Sequence, residues 1–135
     1  MNSTRPNEPV ADFLSLRDKT ILIMGVANKK SVAFAIAKVL RAAGANVIYS
    51  VRSESRKESL SKLLSGETVL VCDVEDQAQI DQLAATLEAD GVTIDGLVHS
   101  IAFADYPEGI RPFHETTRRQ FLQAVDISAY SLISV

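Results

Sequence analysis

Thr20-Ile21-Leu22-Ile23-Met24-Gly25-Val26-Ala27-Asn28-Lys29-Lys30-Ser31-Val32-Ala33-Phe34-Ala35-Ile36-Ala37 is the stretch whose reading decides the fold. The opening run is short and apolar on both faces, which predicts a strand covered on both sides. Gly25 turns the chain. From Val32 the apolar positions Val32, Ile36, Val39, Leu40 and Ala43 recur at three- and four-residue spacing, predicting an amphipathic helix closed by Gly44. A strand that turns through glycine into a helix N-terminus suits a phosphate, because the first helical amides lack partners and carry partial positive charge. A dinucleotide fingerprint would repeat glycine twice more, and here only Gly25 remains. Ser31 stands where the last glycine of a Gly-x3-Gly-x-Gly turn would be, and its hydroxyl can meet a phosphate oxygen or cap the helix.

Outward from that stretch the same alternation repeats. A second strand is expected over 46–51 and a charged helix over 55–64, ending near Gly66. A third strand at 68–72 leads to a helix over 76–90, with Ile80, Leu83, Ala84 and Leu87 inward and Gly91 as its stop. A fourth strand at 97–100 and a long loop precede a helix from Thr117 to Val135, with Phe121, Leu122, Val125, Ala129, Leu132 and Ile133 on one side. Strand and helix in strict alternation imply an α/β fold, a doubly wound parallel sheet of Rossmann type with strand order 3-2-1-4. The fourth strand would then be an apolar edge without charge or proline, and the last helix carries no C-cap. The expectation is therefore a flexible tail over 1–17 and, over 18–135, the N-terminal portion of one dinucleotide-binding domain, its sheet incomplete on the C-terminal side.

Composition narrows the partners. The 135 residues are 47% hydrophobic and 23% charged, with a net charge of −3, which gives no reason to expect nucleic acid or an anionic membrane. No apolar run approaches the ~20 residues of a membrane span. Residues 1–9 lack the apolar core of a signal peptide, and the single Cys72 excludes an internal disulfide and a multi-cysteine metal site. A cytoplasmic setting is the simplest.

Several residues are candidates for chemistry. Gly25 lets a backbone approach a pyrophosphate, or it serves an ordinary turn. Lys29 and Lys30 raise the local potential or are simply solvated. At the end of the second strand, where an acid would take a ribose 2′-hydroxyl, the segment reads Val51-Arg52-Ser53-Glu54, and a guanidinium there suits a 2′-phosphate. That favours NADPH, with NADH open. His99 ends a buried strand without an obvious partner and reads as structural, while His114 lies in a charged loop. The loop 103–116, with Asp105, Tyr106, Glu108, Gly109 and Pro112, has the length of a substrate loop.

Three segments carry a family resemblance: Gly25-Val26-Ala27 with Ser31-Val32-Ala33-Phe34, His99-Ser100-Ile101-Ala102-Phe103-Ala104, and Asp126-Ile127-Ser128-Ala129-Tyr130-Ser131-Leu132. From about residue 18 to 135 the chain resembles bacterial enoyl-acyl-carrier-protein reductases, divergent members of the short-chain dehydrogenase/reductase superfamily. The resemblance implies reduction of a trans-2-enoyl thioester on acyl carrier protein by NAD(P)H, in a homotetramer. It implies that the amide of Val32 meets a phosphate, and that Asp73 and the amide of Val74 meet the adenine (Asp73 otherwise serving as a helix-entry residue). It also implies that small residues such as Ser100 let the backbone run along the ribose, and that Ile101 and Phe103 pack against the ring and the substrate. Ala104 would border the acyl pocket, and Tyr130 would pack at an interface. The family's catalytic pair is a tyrosine followed by six residues and a lysine. At that spacing Tyr49 meets Arg56 and Tyr106 meets Phe113, so no catalytic residue is assigned within the chain and the pair is expected beyond Val135. A 3-ketoacyl reductase and a non-catalytic nucleotide-binding module remain the alternatives.

Overall fold

Strands β1 (Thr20–Met24), β2 (Asn46–Val51), β3 (Thr68–Val71) and β4 (Gly96–His99) form a parallel sheet in the order β3-β2-β1-β4. The computed structural model describes residues 14–107 and 109–135. Helices α1 (Val32–Ala42), α2 (Glu54–Leu60) and α3 (Gln77–Ala89) connect successive strands. Alternate residues of β1 serve opposite faces, as a pleated strand requires. Ile21 and Ile23 pack with Tyr49, Val51, Ala33 and Ala37 on the side of α1 and α2. Leu22 and Met24 pack with Ile48, Cys72 and the α3 residues Ile80, Leu83 and Leu87 on the other. The predicted architecture and strand order are those observed.

The helix faces differ from expectation in three places. In α1 the inward residues are Ala33 and Ala37, whereas Val32 and Val39 are exposed at 66% and 69%. Small side chains four residues apart let the helix axis lie close on the sheet, so packing outweighs bulk. The helix does end at Gly44, whose φ is +92°; its N–H donates to the Arg41 carbonyl at 2.9 Å and that of Ala45 to Leu40 at 3.0 Å. In α3, Ala84 is exposed and borders an apolar groove between α3 and β4, lined also by Leu22, Leu87, Val92 and Leu97. The charged helix after β2 is regular only to Leu60; turns carry the chain on to Gly66, and Leu64 is buried there.

The last helix shows the largest difference. It is built of α4 (Arg118–Val125), a π-helical turn at Asp126–Tyr130 and α5 (Ser131–Ser134). The apolar side expected of it is exposed: Phe121, Leu122, Val125, Leu132 and Ile133 all face outward, while Ile127 and Ser131 are buried. A π turn adds a residue and rotates the next turn of helix, so a stripe drawn at 3.6-residue spacing misses the packed face. Residues 1–13 of the expected tail and Glu108 of the loop lie outside the described residues. Leu16, within the stretch expected as tail, packs against the α1 side of the core.

At the amino ends of the strands the polar groups pair within the chain. Asp95 accepts from Lys19 Nζ at 2.9 Å and from the Thr20 N–H at 2.8 Å, joining the starts of β1 and β4. The Thr20 amide first, and then Lys19, hold the Asp95 carboxyl below the ordinary carboxylate value.

Candidate functional site

At the carboxyl ends of the strands, where the order reverses between β1 and β4, a cleft of about 280 Å³ opens. Six expected site residues line it: Gly25, Arg52, Asp73, Val74, Ser100 and Ile101. Ser31 and Val32 lie outside it at the start of α1, and Ala104 is exposed on the loop beyond.

Gly25 is required by the fold itself. Its φ is +97°, and a Cβ there would stand 1.9 Å from the Ser100 carbonyl oxygen. The turn after β1 therefore lies directly against the end of β4, and only glycine permits that approach. The α1 N-terminus departs from the plain cap considered for it. Ser31 has extended backbone at the N-cap position, but its hydroxyl accepts no amide; it donates to the Asn28 carbonyl at 2.6 Å. The first-turn amides of α1 are thus left without a side-chain cap. By contrast, Ser53 caps α2 through the Arg56 amide and Asp76 caps α3 through the Ala78 amide.

Arg52 is committed within the protein. Its Nε–H donates to Asp73 at 3.0 Å and an Nη2–H to Glu75 at 2.9 Å. The guanidinium also lies 5.2 Å from the centre of the Phe103 ring, a cation–π contact across the cleft mouth. The other Asp73 oxygen accepts the Glu75 N–H at 3.2 Å, so this carboxylate both orders the turn after β3 and holds the arginine. Phe103 is fixed from the opposite side: Ser128 Oγ accepts its N–H at 3.0 Å and donates to its carbonyl at 3.2 Å.

His99 has a partner that its sequence context did not reveal. Its Nε2 lies 2.7 Å from Ser131 Oγ, and that hydroxyl gives its one proton to the Ile127 carbonyl at 2.7 Å. His99 Nε2 must then be the donor. This chain of bonds anchors the π turn to β4, in keeping with a structural role.

The deep end of the cleft holds groups that motif reasoning missed. Ser50 is 2% exposed, and its Oγ has no hydrogen-bond partner among the described residues. A hydroxyl in the otherwise apolar run Val47–Val51 was the available signal, since a polar atom buried without a partner costs free energy. Cys72 beside it is buried, and burial pushes its thiol up to about 11. Arg56 adds a second cation to the rim. No group of side chains suited to a metal ion occurs among the described residues, and no helix among them is long and apolar enough to cross a membrane.

Comparison with known proteins places this geometry in a family. The sequence profile described as Enoyl-(Acyl carrier protein) reductase matches residues 25–135. The chain is 46% identical over 121 residues to the Enterococcus faecalis enoyl-[acyl-carrier-protein] reductase [NADH] FabI, covering 89% of this chain and 48% of that protein. It is 40% identical over 128 residues to the Staphylococcus aureus enoyl-[acyl-carrier-protein] reductase [NADPH] FabI, covering 91% and 50%. The crystal structure of FabI from Candidatus Liberibacter asiaticus superposes with a TM-score of 0.80 at 38% identity, over 88% of this chain and 47% of that one. The chain thus spans about half the length of the curated relatives it matches.

Proposed function

The chain belongs to the enoyl-(acyl carrier protein) reductase family, and from that footing we propose that its cleft binds NAD(P)H for the reduction of a trans-2-enoyl thioester carried on acyl carrier protein. The bound nicotinamide supplies a hydride to the β-carbon of the enoyl group, and a proton at the α-carbon completes the saturated acyl chain. The observation that carries the reading is the α1 N-terminus, left uncapped beside a cleft at the point where the strand order reverses. The Phe34 amide already donates to the Ser31 carbonyl, and an anion there would meet the earlier amides of the first turn, which no side chain caps. Ser50 adds support as a buried hydroxyl, with no partner among the described residues, at the floor of the same cleft.

In this reading Gly25, Ser31 and Val32 receive the pyrophosphate, Asp73 and Val74 the adenine, and Ser100 the ribose, with Ile101 packing against the nicotinamide ring. Ala104 borders the acyl chain. Arg52 and Arg56 at the rim favour the 2′-phosphate of NADPH, and relatives of both nucleotide preferences exist. No catalytic residue is assigned among these residues, since no Tyr-x6-Lys pair occurs in them. The outward apolar row of α4 and α5, Phe121, Leu122, Leu132 and Ile133, suits burial against other copies in a homo-oligomer of a cytoplasmic enzyme. Calorimetric titration with NADPH, NADH and ADP-ribose tests the site. Saturable binding of all three is expected, and absence of all three would overturn the proposal. Nucleotide binding by the whole protein without enoyl-dependent cofactor oxidation would instead leave a nucleotide-binding module.

A further inference from the structure

We infer that Glu75 sets how strongly the site prefers NADPH to NADH, by competing with the nucleotide's 2′-phosphate for the Arg52 guanidinium. The inference rests on the nucleotide-binding reading above and adds to it a residue that lies outside the cleft lining. A guanidinium has five N–H donors. Two are spent on Asp73 and Glu75, which leaves three to meet a phosphate. Donors are therefore sufficient, and the obstacle is charge: a phosphate arriving at Arg52 meets two carboxylates already at 3.0 and 2.9 Å from its nitrogens. Phe103 limits the arginine further, because the cation–π contact keeps the guanidinium plane over the cleft mouth.

The two carboxylates are not equivalent. Asp73 lines the cleft and orders the turn through the Glu75 amide, so its removal would disturb the nucleotide site directly. Glu75 is outside the lining, and its second oxygen accepts Gln123 Nε2 of α4 at 3.1 Å. That bond steadies the carboxylate facing Arg52 without engaging the cleft. Glu75 is thus a positioning residue, acting on the ligand only through Arg52. The substitution Glu75→Gln deletes the charge and keeps one oxygen for Arg52. Its NH2 then faces Gln123, whose own Oε1 is buried without a partner among the described residues and accepts it once the Gln123 amide turns over.

The test measures dissociation constants for ADP-ribose and 2′-phospho-ADP-ribose at fixed ionic strength, in the unmodified protein, E75Q, E75A, R52A and the R52A/E75Q double variant. E75Q should raise the preference for the phosphorylated ligand about tenfold, with ADP-ribose affinity within about twofold. The shift should vanish in the R52A background, because the two residues act through one ion pair. E75A, which cannot bond Gln123, should shift the preference in the same direction and serves if E75Q folds poorly. A ratio unchanged in both Glu75 variants, or a shift that survives without Arg52, overturns the inference while leaving the site intact. Failure of the unmodified protein to bind ADP-ribose overturns the nucleotide reading itself.

Discussion

The two ends of the same parallel sheet are built on opposite principles. At the amino ends, polar groups close on one another: Asp95 holds Lys19 and Thr20, and the Asp18 amide donates to the Gly44 carbonyl at 3.0 Å. At the carboxyl ends, groups are left open around a cleft: the α1 first turn has no side-chain cap, and Ser50 Oγ is buried without a partner among the described residues. Both ends belong to one sheet and share its packing, so the contrast is not one of quality. Open polar groups cost stability unless something outside the chain satisfies them. The lesson is that the site is marked less by what its residues bond than by what they leave unbonded.

Glycine provides the harshest way to break that contrast, since each end has one with positive φ. Gly25→Ala places a methyl 1.9 Å from the Ser100 carbonyl as well as straining the backbone. Strain and overpacking together should cost on the order of 3–5 kcal/mol and abolish nucleotide binding. Gly44→Ala meets nothing closer than 3.5 Å, so only backbone strain remains, about 1–2 kcal/mol, with binding preserved in the folded fraction. Denaturant unfolding of the two variants checks the order, and equal losses would show that the approach of β4 to the turn is not what demands glycine.

A milder pair of variants sharpens the comparison within the carboxyl end. Asp76→Ala removes a working cap from α3 and should lower stability by about 1 kcal/mol. Ser31→Ala removes a hydroxyl that caps no amide, so stability should change by less than about 0.5 kcal/mol. Its signature should be functional, a roughly tenfold weaker affinity for ADP-ribose. Thermal melts and calorimetry on both variants decide the matter. If Ser31→Ala costs as much stability as Asp76→Ala and leaves affinity alone, then Ser31 is merely a structural turn residue.

How far the sequence could be read obeys the same division. Strand order and the strand-glycine-helix turn were legible because each depends on local pattern: apolar runs, glycine stops and a cap position. Of the six cleft residues Gly25 and Arg52 stand out in that pattern, whereas Asp73, Val74, Ser100 and Ile101 came only through the family resemblance. Ala33 and Ala37 were not, since helical periodicity weights bulky residues and close packing on a sheet rewards small ones. The π turn at Asp126–Tyr130 was invisible for a related reason: it is tied to β4 by the bond between Ser131 and His99, 32 residues apart in sequence. Arg52 lines the cleft at the end of β2, but its engagement by Asp73 and Glu75 joins β2 to the turn after β3. Pairings between elements are what a single sequence conceals.

The smallest expected effect belongs to the closed end and disappears in acid. The Asp95 carboxyl is held below its ordinary value of 3.8, first by the Thr20 amide and then by Lys19. A carboxylate whose folded value is depressed adds stability that is present above its unfolded value and is lost as pH falls through the folded one. Asp95→Asn should therefore lower stability at neutral pH by a small margin, and that margin should shrink below about pH 3.8 until the two proteins melt together. Nucleotide affinity should be unaffected throughout, because Asp95 sits at the amino end of β4, and Gly25 and Ser100 at the carboxyl ends of β1 and β4. Melting curves of both proteins from neutral to acid pH measure the margin. A difference that persists undiminished in acid would mean that Asp95 acts through shape and hydrogen bonding alone; a loss of affinity would mean that the two ends of the sheet are coupled after all.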